Sequence, residues 1–252
     1  MNTLVDIILP NYNSEKYIDE TLKSIINQSL KNWKLYIVDD ASADSSLEKI
    51  EKYNSDNRID IIKLNENKGP GHCRNQALKL CKSKYISFID SDDVWSTEKL
   101  EEQINFMSKS NIKFSYTNFL SFKVKKEDKV FQEKKYLPQK FDYESFTKST
   151  SLCTSSMIIE REVIGDLRFL EKGICEDYFF KCEILKKCGE AKIYEKHLTF
   201  YRYRSKSLQS NRIKNIITIW NINKNFNKMT LIKNFISIFF ISINSIKRHG
   251  FK

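Results

Sequence analysis

The chain has 252 residues, enough for one large domain or two small ones around a buried core. Hydrophobic residues make up 40% and charged residues 30%, which excludes a disordered chain, and the 6 Gly and 3 Pro exclude collagen-like and linker-rich architectures. The net charge of +11 comes from residues 201–252, which hold eleven basic residues and no acidic one. Such a basic tail on a neutral body argues against a nucleic-acid-binding surface and indicates a separate electrostatic role for the tail.

Targeting segments and cysteines narrow the class of protein further. No stretch approaches the roughly 20 apolar residues that span a bilayer, and the N-terminus lacks the basic region of a signal peptide. We therefore expect a cytoplasmic protein. The cysteines form no CxxC pair, and we interpret them as reduced thiols packed in the core. They lie at positions 73, 81, 153, 175, 182 and 188.

Strands and helices are predicted to alternate through the first 110 residues. Apolar runs predict strands at 4–9, 33–38, 59–64 and 85–89, and helical spacing predicts helices at 15–30, 45–53, 69–81 and 96–109. Ser14 is the expected N-cap of the first helix. Short links between such elements imply parallel strands and a Rossmann-like α/β sheet flanked by helices.

The later part of the chain gives weaker patterns. A hairpin is predicted from 114–122 and 130–136, a strand from 193–203, and an amphipathic helix over 175–188 with Phe179, Cys182 and Leu185 on one face. Residues 137–156 predict no element. We expect two halves of one domain, 1–110 and 111–210, followed by a helical tail at 211–252.

Polar residues follow three of the predicted strands, at the sheet edge where ligands bind in such folds. They are Asn11-Tyr12-Asn13, Asp39-Asp40 and Asp90-Ser91-Asp92-Asp93. In an extended chain Asp90 and Asp92 point to one side, where they could share a divalent metal; the alternative is a solvated turn that caps the helix at Ser96. Asp39 and Asp40 could accept hydrogen bonds from a base or a ribose, or cap the next helix.

The segment Gly69-Pro70-Gly71 is a weak phosphate-loop pattern, because it lacks both G-x-G-x-x-G and the lysine of a P-loop. Arg74, in the helix that follows, could face the site as a fixed cation or be solvated.

Four segments in order resemble family 2 glycosyltransferases of the GT-A fold, over residues 3–110: ILPNYN, IVDDASAD, NKGPGHCRNQAL and YISFIDSDD. In that family the first strand ends in P-x-Y-N, the second in VDDGS-x-D, and G-x-x-x-A-R-N precedes a D-x-D strand. Cys73 replaces the usual Ala and Ala41 the usual Gly. The matching residues are Pro10, Tyr12, Asn13, Asp39, Asp40, Ser42, Asp44, Gly71, Arg74, Asn75, Asp90, Asp92 and Asp93.

Two shorter segments extend the resemblance. Residues 175–180 (CEDYFF) resemble the family's E-D motif, which opens a helix and presents the catalytic base, although Glu-Asp at a helix start is normally dipole complementation. Residues 201–204 (YRYR), with Ser205 and Ser207, resemble the Y-R-x-x-x-x-S segment of bacterial surface-polysaccharide members.

The resemblance implies an inverting hexosyl- or N-acetylhexosaminyltransferase that uses a nucleotide diphosphate sugar, with uridine as the commonest base. It implies Mg²⁺ or Mn²⁺ held by Asp92 with Asp90, and Asp177 as general base. Pro10, Tyr12 and Asp40 would form the nucleobase pocket with Asp39 nearby. Arg74 and Ser91 would lie near the nucleotide, and Arg202 or Arg204 would contact the diphosphate unless they are solvated.

Two other functions would need different residues. A sugar-nucleotide-binding relative without transfer activity should lack the Asp pair or Asp177, and both are present. A nucleotidyltransferase usually carries a phosphate motif rich in Gly and Arg after the first strand, which LPNYNSEKY lacks.

The tail is predicted to be helical, with Ile213, Ile216, Ile217 and Trp220 on one face of its first part. Residues 235–246 carry no charge and are flanked by Lys233 and by Lys247-Arg248. Twelve helical residues reach about 18 Å, too short to cross a bilayer. We therefore expect 231–252 to lie on the anionic inner leaflet, where members of the family meet lipid-linked glycan acceptors. The alternative is that it packs on the catalytic domain or on a second subunit.

Overall fold

A computed structural model describes residues 4–125, 128–132, 137–171, 173, 175–204 and 211–249. Part of the second predicted hairpin strand (133–136), Ser205, Ser207 and the last three residues therefore lie outside the described residues.

The first part of the chain alternates strands and helices as predicted. Its elements are β1 (Val5–Asn11), α1 (Ile18–Ile26), β2 (Trp33–Asp39), α2 (Ser46–Glu51), β3 (Ile59–Lys63), α3 (Pro70–Leu78), β4 (Tyr85–Phe88), β5 (Val94–Trp95) and α4 (Lys99–Lys109).

The second part adds shorter elements and the tail helices. They are β6 (Phe114–Lys125), β7 (Asp128–Phe131), β8 (Lys140–Asp142), α5 (Tyr143–Ser149), a 3₁₀ turn (Thr154–Ser156), β9 (Ile158–Glu160), α6 (Arg161–Ile164), α7 (Glu176–Cys188), β10 (Glu190–Arg202), α8 (Arg212–Asn225) and α9 (Leu231–His249).

One ten-stranded sheet includes strands from both sides of residue 110. Its order is β3-β2-β1-β4-β9-β6-β10-β5, with β7 beside β6 and β8 beside β10. The first four strands pair in parallel, and β9 lies antiparallel between β4 and β6. The predicted hairpin is confirmed, since β6 and β7 pair antiparallel. The α/β class is confirmed, and the domain boundaries stay predictions.

Helices cover both faces of the sheet because both faces are apolar. One core contains Ile7, Leu22 and Leu100, from β1, α1 and α4. The other contains Ile8, Ala77 and Phe180, from β1, α3 and α7. Successive residues of β1 thus point to opposite cores, and every residue of β1 is buried. All six cysteines are free thiols, as predicted.

The predicted N-cap at Ser14 is wrong. Helix α1 begins at Ile18 with Tyr17 at the cap position, after a turn in which the Ser14 carbonyl accepts from the amides of Tyr17 and Ile18. The Ser14 hydroxyl instead donates to the Asn11 side chain. This hydroxyl stabilises the end of β1 rather than the helix.

Among the described residues no helix is both long and apolar enough to cross a membrane. Helix α9 packs against α5 and α8 through a mixed face, in which Asn234, Ser237 and Asn244 lie beside Ile238 and Ile241. The Ser237 hydroxyl donates to the Thr147 carbonyl at 2.7 Å, and the Asn244 amide donates to the Lys148 carbonyl at 3.0 Å. Asn234 is buried and donates to the Trp220 carbonyl at 3.1 Å.

The opposite face of α9 is apolar and points outward. Phe235 and Phe239 are 65% and 62% exposed. The further exposed apolar residues of this face are Leu231, Ile232, Ile236 and Phe240. We call these six residues the outer face of α9. Helix α9 therefore leaves most of its large apolar side chains exposed, whereas an ordinary surface helix turns its apolar side toward the core.

Candidate active site

The carboxyl ends of β2, β1 and β4 lie side by side, because these three strands are neighbours and parallel. Asn11, at the end of β1, pairs in register with Asp39, at the end of β2. The four residues Asp90–Asp93 follow β4 at the same edge. The sheet therefore brings together the three polar clusters that the sequence indicates.

At the end of β1 the backbone turns and leaves one aromatic ring in the open. Pro10 is buried on the strand, Tyr12 is 49% exposed, and Asn13 has a φ of 46°. The Asn13 side chain accepts a hydrogen bond from the Ala43 amide at 2.8 Å, which ties this turn to the segment after β2. The exposed ring of Tyr12 could stack on a planar ligand.

Asp39 and Asp40 hold two loops rather than cap α2. The Asp39 carboxylate accepts from the Asn11 amide at 2.6 Å and from the Ser42 hydroxyl at 2.7 Å. The Asp40 carboxylate accepts from the backbone amides of Lys68 and Gly69, each at 2.8 Å. Each Asp40 oxygen keeps a second lone pair, so a ligand N–H could still bind there.

Residues Asp90–Asp93 form a turn in which Asp92 and Asp93 are buried and Asp90 and Ser91 are half-buried, so it is not the freely solvated turn of the alternative interpretation. The Asp93 amide donates to the Asp90 carbonyl at 3.0 Å, so the chain turns here and is not extended as the prediction assumed. Burial raises the pKa of Asp92 to about 6 and that of Asp93 well above its usual range. Ser91 is half-buried, and its carbonyl accepts from the Thr21 hydroxyl at 3.1 Å.

Arg74 is a fixed buried cation, so its solvated alternative is wrong. One guanidinium nitrogen lies 2.6 Å from Asp90 and another lies 2.7 Å from Glu176, at the start of α7. Helix α3 also lies close to the backbone at Leu170. This contact requires the glycine at position 71, one turn before Arg74, since a Cβ there would lie 2.3 Å from the Leu170 carbonyl oxygen. Arg74 thus joins the turn after β4 to the N-terminus of α7.

The two late arginines have different surroundings. Arg202 is buried; its Nε donates to the Asp92 carbonyl at 2.8 Å, and its guanidinium pairs with Glu20. Its backbone amide also donates to Asp93 at 3.0 Å. Arg204 is 36% exposed, and its Nε lies 2.6 Å from Asp92 Oδ2. Arg202 therefore supports the acidic turn, whereas Arg204 could turn toward a ligand.

The segment around the 3₁₀ turn connects the acidic turn to Asp177. The Ser155 hydroxyl donates to Asp93 at 2.5 Å and accepts from the Asp90 amide at 3.1 Å. The neighbouring Thr154 hydroxyl donates to Asp177 at 3.1 Å. These contacts place Asp177 and the acidic turn on either side of one short segment.

Asp177 and Glu176 open α7, but they are held in different charge environments. Burial opposes ionisation of Asp177, yet the ammonium of Lys181, at 2.7 Å, holds the pKa of Asp177 at about 2. Burial raises the pKa of Glu176 despite its pairing with Arg74. Asp177 is thus the more acidic carboxylate of the two.

The donor atoms at the acidic turn suit a hard divalent cation. Asp90 and Asp92 supply carboxylate oxygens. A bound positive charge would favour the ionised form of Asp92, which burial disfavours. Among the described residues no group of three or more His, Cys, Asp and Glu side chains could hold a metal alone. A cation bound through one or two carboxylates and the phosphates of a substrate needs no such group.

Sequence reasoning missed four residues of this network: Glu20, Thr154, Ser155 and Lys181. Three of them carry hydroxyls or charges that are usual at a surface, and nothing in their spacing distinguishes them. For Lys181 the i,i+4 distance from Asp177 was an available signal.

The sheet topology and the acidic edge are those of the GT-A fold. The chain belongs to glycosyl transferase family 2, whose family model matches residues 6–168. Both the fold and the family expected from the sequence are therefore confirmed.

Two relatives cover nearly the whole chain. It is 34% identical to the UDP-Glc:alpha-D-GlcNAc-diphosphoundecaprenol beta-1,3-glucosyltransferase WfaP of Escherichia coli, over 98% of this chain and 96% of that one. It is 30% identical to the putative teichuronic acid biosynthesis glycosyltransferase TuaG of Bacillus subtilis, over 91% of both.

Among solved structures, the chain is similar to residues 1–349 of S. aureus TarS in complex with UDP-GlcNAc. The TM-score is 0.73 at 22% identity, over 97% of this chain and 73% of that one.

Proposed function

We propose that this glycosyltransferase transfers a hexosyl or N-acetylhexosaminyl group from a UDP-sugar to a hydroxyl of a lipid-linked glycan, with inversion, in the synthesis of a bacterial surface glycan. The observation that carries the proposal is the continuous network from the acidic turn through Arg74 and the 154–155 segment to Asp177. This network connects the proposed binding site of the sugar donor to the ionised carboxylate of Asp177. The names of the relatives support the substrate classes.

The nucleoside would bind at the end of β1. Tyr12 would stack on the base and Pro10 would form the floor of the pocket. Asp40 would accept a base N–H with a lone pair that its loop contacts leave free, and Asp39 would orient the neighbouring residues Asn11 and Ser42. Uracil as the base is supported by WfaP, which is named for its UDP-Glc donor, and by the TarS complex with UDP-GlcNAc.

The diphosphate would bind at the acidic turn, between Asp90, Ser91, Asp92 and Arg204. Bound Mg²⁺ or Mn²⁺ would be held by Asp92 and Asp90, and it would neutralise the negative charge that a diphosphate leaving group develops. Arg204 would move from Asp92 to the phosphates, whereas Arg202 would keep the turn in place through Glu20 and the Asp92 carbonyl.

Asp177 would act as general base. The acceptor oxygen forms a bond to the anomeric carbon, the bond from that carbon to the diphosphate breaks, and its electron pair leaves with the nucleotide. The acceptor proton moves to Asp177 and later to solvent. Attack from the face opposite the leaving group inverts the anomeric centre, so one carboxylate is sufficient.

The outer face of α9 would lie on the anionic inner leaflet of the cytoplasmic membrane, with the protein in the cytoplasm. Two observations support this occupant: the apolar side chains point away from the protein, and residues 201–252 carry eleven basic residues and no acid. A lipid-linked acceptor would be met at the same surface. A second copy of the chain is the alternative occupant.

Product analysis tests the proposed transfer. The full chain is incubated with UDP-glucose or UDP-GlcNAc, Mn²⁺ and a synthetic GlcNAc-diphosphate-lipid acceptor, and released UDP and glycolipid are quantified. We expect acceptor-dependent UDP release that Asp177→Asn lowers by about 10²–10⁴-fold, the usual contribution of a general base. A chain that binds UDP-sugars but releases no UDP would be an inactive relative. If added pyrophosphate converts the UDP-sugar to UTP and sugar 1-phosphate, the chain would be a nucleotidyltransferase.

Sedimentation with vesicles tests the membrane contact. Full-length protein should sediment with vesicles that contain anionic lipid, less at high salt, and Phe235→Ser/Phe239→Ser should abolish this. Leu80→Ser, at an exposed apolar residue of the catalytic domain, is the matched control and should bind like the wild type. If the wild type stays in the supernatant and is dimeric, a second copy covers the face.

A further inference from the structure

The Asp177 carboxylate is held on one side only. Its Oδ2 accepts from the Lys181 ammonium at 2.7 Å and from the Thr154 hydroxyl at 3.1 Å. Within the described ranges its Oδ1 receives no hydrogen bond. The side chain is 18% exposed, so the carboxylate still reaches the surface of the site. The two oxygens of this carboxylate are therefore not equivalent.

Lys181 is fixed as firmly as the carboxylate that it contacts. Its side chain is only 4% exposed, and the ammonium also donates to the Leu152 carbonyl at 2.8 Å. The position of Lys181 four residues after Asp177 on α7 places both side chains on the same helix face. This differs from an ordinary surface i,i+4 pair, whose lysine is solvated and mobile.

The backbone before α7 and the segment 152–155 also help to fix the orientation of Asp177. Cys175, before the helix, has a φ of 62°, a conformation that costs a residue with a Cβ some free energy. It sets the direction in which α7 leaves the preceding segment. Leu152 and Thr154 belong to the segment that also binds the acidic turn through Ser155. The orientation of Asp177 is thus coupled to the donor side of the site.

We propose that Lys181 is a positioning residue which, together with Thr154, fixes Asp177 with Oδ2 toward the protein and Oδ1 free to take the proton of the acceptor hydroxyl. This inference rests on the proposed role of Asp177 as base. Lys181 takes no part in the bonds that form or break. It fixes which oxygen receives the proton and keeps that oxygen ionised in the resting enzyme.

In the part of the chain that the structure describes, the charged and titratable groups around Asp177 are Lys181 and Glu176 on its own helix, Arg74 from α3, and the thiols of Cys175 and Cys153. Burial raises the pKa of Cys153 well above its usual range, so this thiol is neutral. Lys181 and Arg74 lower the pKa of Asp177, and burial opposes them. Burial raises the pKa of Cys175 to about 12, so that thiol is neutral. Removal of Lys181 leaves burial opposed by Arg74 and Thr154 only, and the pKa of Asp177 should then rise.

The test compares kcat as a function of pH for the wild type, Lys181→Met and Lys181→Arg, with donor and acceptor saturating. The wild type should lose activity through Asp177 only near pH 2, below the range in which the protein can be assayed. For K181M we expect an acid limb within the measurable range and kcat lower by about 10–100-fold at neutral pH, with an unchanged KM for the donor. K181R should keep the acid limb of the wild type.

Lys186→Met is the matched control, since Lys186 pairs with Glu183 on the exposed side of the same helix at 2.6 Å. It should leave both kcat and the pH profile unchanged. If K181M does not fold, Thr154→Val removes the second contact to Oδ2 and should shift the acid limb in the same direction by a smaller amount.

The outcomes separate this inference from the function on which it rests. Loss of transfer in Asp177→Asn together with a wild-type pH profile in both K181M and T154V would overturn the positioning role and leave the base in place. Wild-type turnover in Asp177→Asn would overturn the base itself. An acid limb that appears in K181M and is absent in K181R supports the proposal.

Discussion

Replacement of Arg74 by methionine removes a buried cation that contacts two carboxylates of the site. Arg74 is 5% exposed in its side chain and lies 2.6 Å from Asp90 and 2.7 Å from Glu176. The side chain of Glu176 is only 12% exposed, so without Arg74 its charge would be buried without a partner. Removal of one partner of a buried ion pair lowers the free energy of unfolding by about 3–5 kcal/mol. Asp90 is 37% exposed and should contribute the smaller part.

The loss of stability in Arg74→Met should depend on pH, and its direction follows from the pKa of Glu176. Burial already raises the pKa of Glu176, and removal of Arg74 raises it further. The folded variant then binds a proton at a pH where the unfolded chain does not. The deficit in the free energy of unfolding should therefore be largest above the raised pKa and should shrink as the pH falls through it.

Urea denaturation followed by circular dichroism at pH 8 and pH 5.5 measures both effects. We expect Arg74→Met to lose about 3–5 kcal/mol at pH 8 and less at pH 5.5, and Arg74→Met/Glu176→Gln to recover part of the loss. Lys196→Met is the control, because Lys196 is 59% exposed beside Glu102 and such surface pairs contribute about 0–1 kcal/mol. A loss below about 1 kcal/mol for Arg74→Met would refute the buried bridge.

Three further predictions concern the pocket, the cation and a buried lysine. Tyr12→Ala should weaken binding of UDP by about 1–3 kcal/mol, the contribution of base stacking, and calorimetry that shows unchanged affinity would place the base elsewhere. Asp92→Ala should abolish transfer, as should excess chelator with the wild type; full activity in chelator would contradict a role for Mg²⁺ or Mn²⁺. Lys99 is fully buried, donates to the Ser87 hydroxyl at 2.7 Å, and burial holds its pKa well below the usual range. The unfolded chain then binds more protons, so stability should rise with pH by up to about 1.4 kcal/mol per unit from that pKa to about 10.4, and Lys99→Met should flatten this rise in urea denaturation at pH 7 and pH 9.

The first part of the fold could be predicted from sequence because its elements are long and strongly patterned. The strands β1 and β2 are continuous apolar runs, and α1 buries Ile18, Leu22 and Ile25 at helical spacing. The cap of α1 was predicted wrongly because a serine hydroxyl can bond a helix amide or a nearby side chain with similar energy. Here the side chain of Asn11 is the partner.

The segment 137–156 could not be predicted, since its elements are short and depend on tertiary contacts. Helix α5 has seven residues and is held by a capping box between Asp142 and Ser145 and by burial of Phe146. The 3₁₀ turn at Thr154–Ser156 has no periodicity, yet it connects the two halves of the site. A pattern of three residues carries too little information to predict such a role.

The strand-end carboxylates were predicted from sequence, but their partners were not. Position at the sheet edge follows from strand order, whereas the choice between a solvated and a buried Arg74 depends on Glu176, which lies 102 residues later. The direction of the outer face of α9 also could not be predicted from the sequence. The sequence indicates an apolar side, and only the packing against α5 shows that this side points outward.

The configuration of the product tests the proposed function most directly. The wild type is incubated with UDP-α-glucose, Mn²⁺ and the synthetic GlcNAc-diphosphate-lipid, and the new linkage is determined by the proton coupling at the anomeric carbon in NMR. We predict a β-linked product whose formation is lost in Asp177→Asn. An α-linked product, or free glucose as the sole product with acceptor present, would contradict inverting transfer with Asp177 as base.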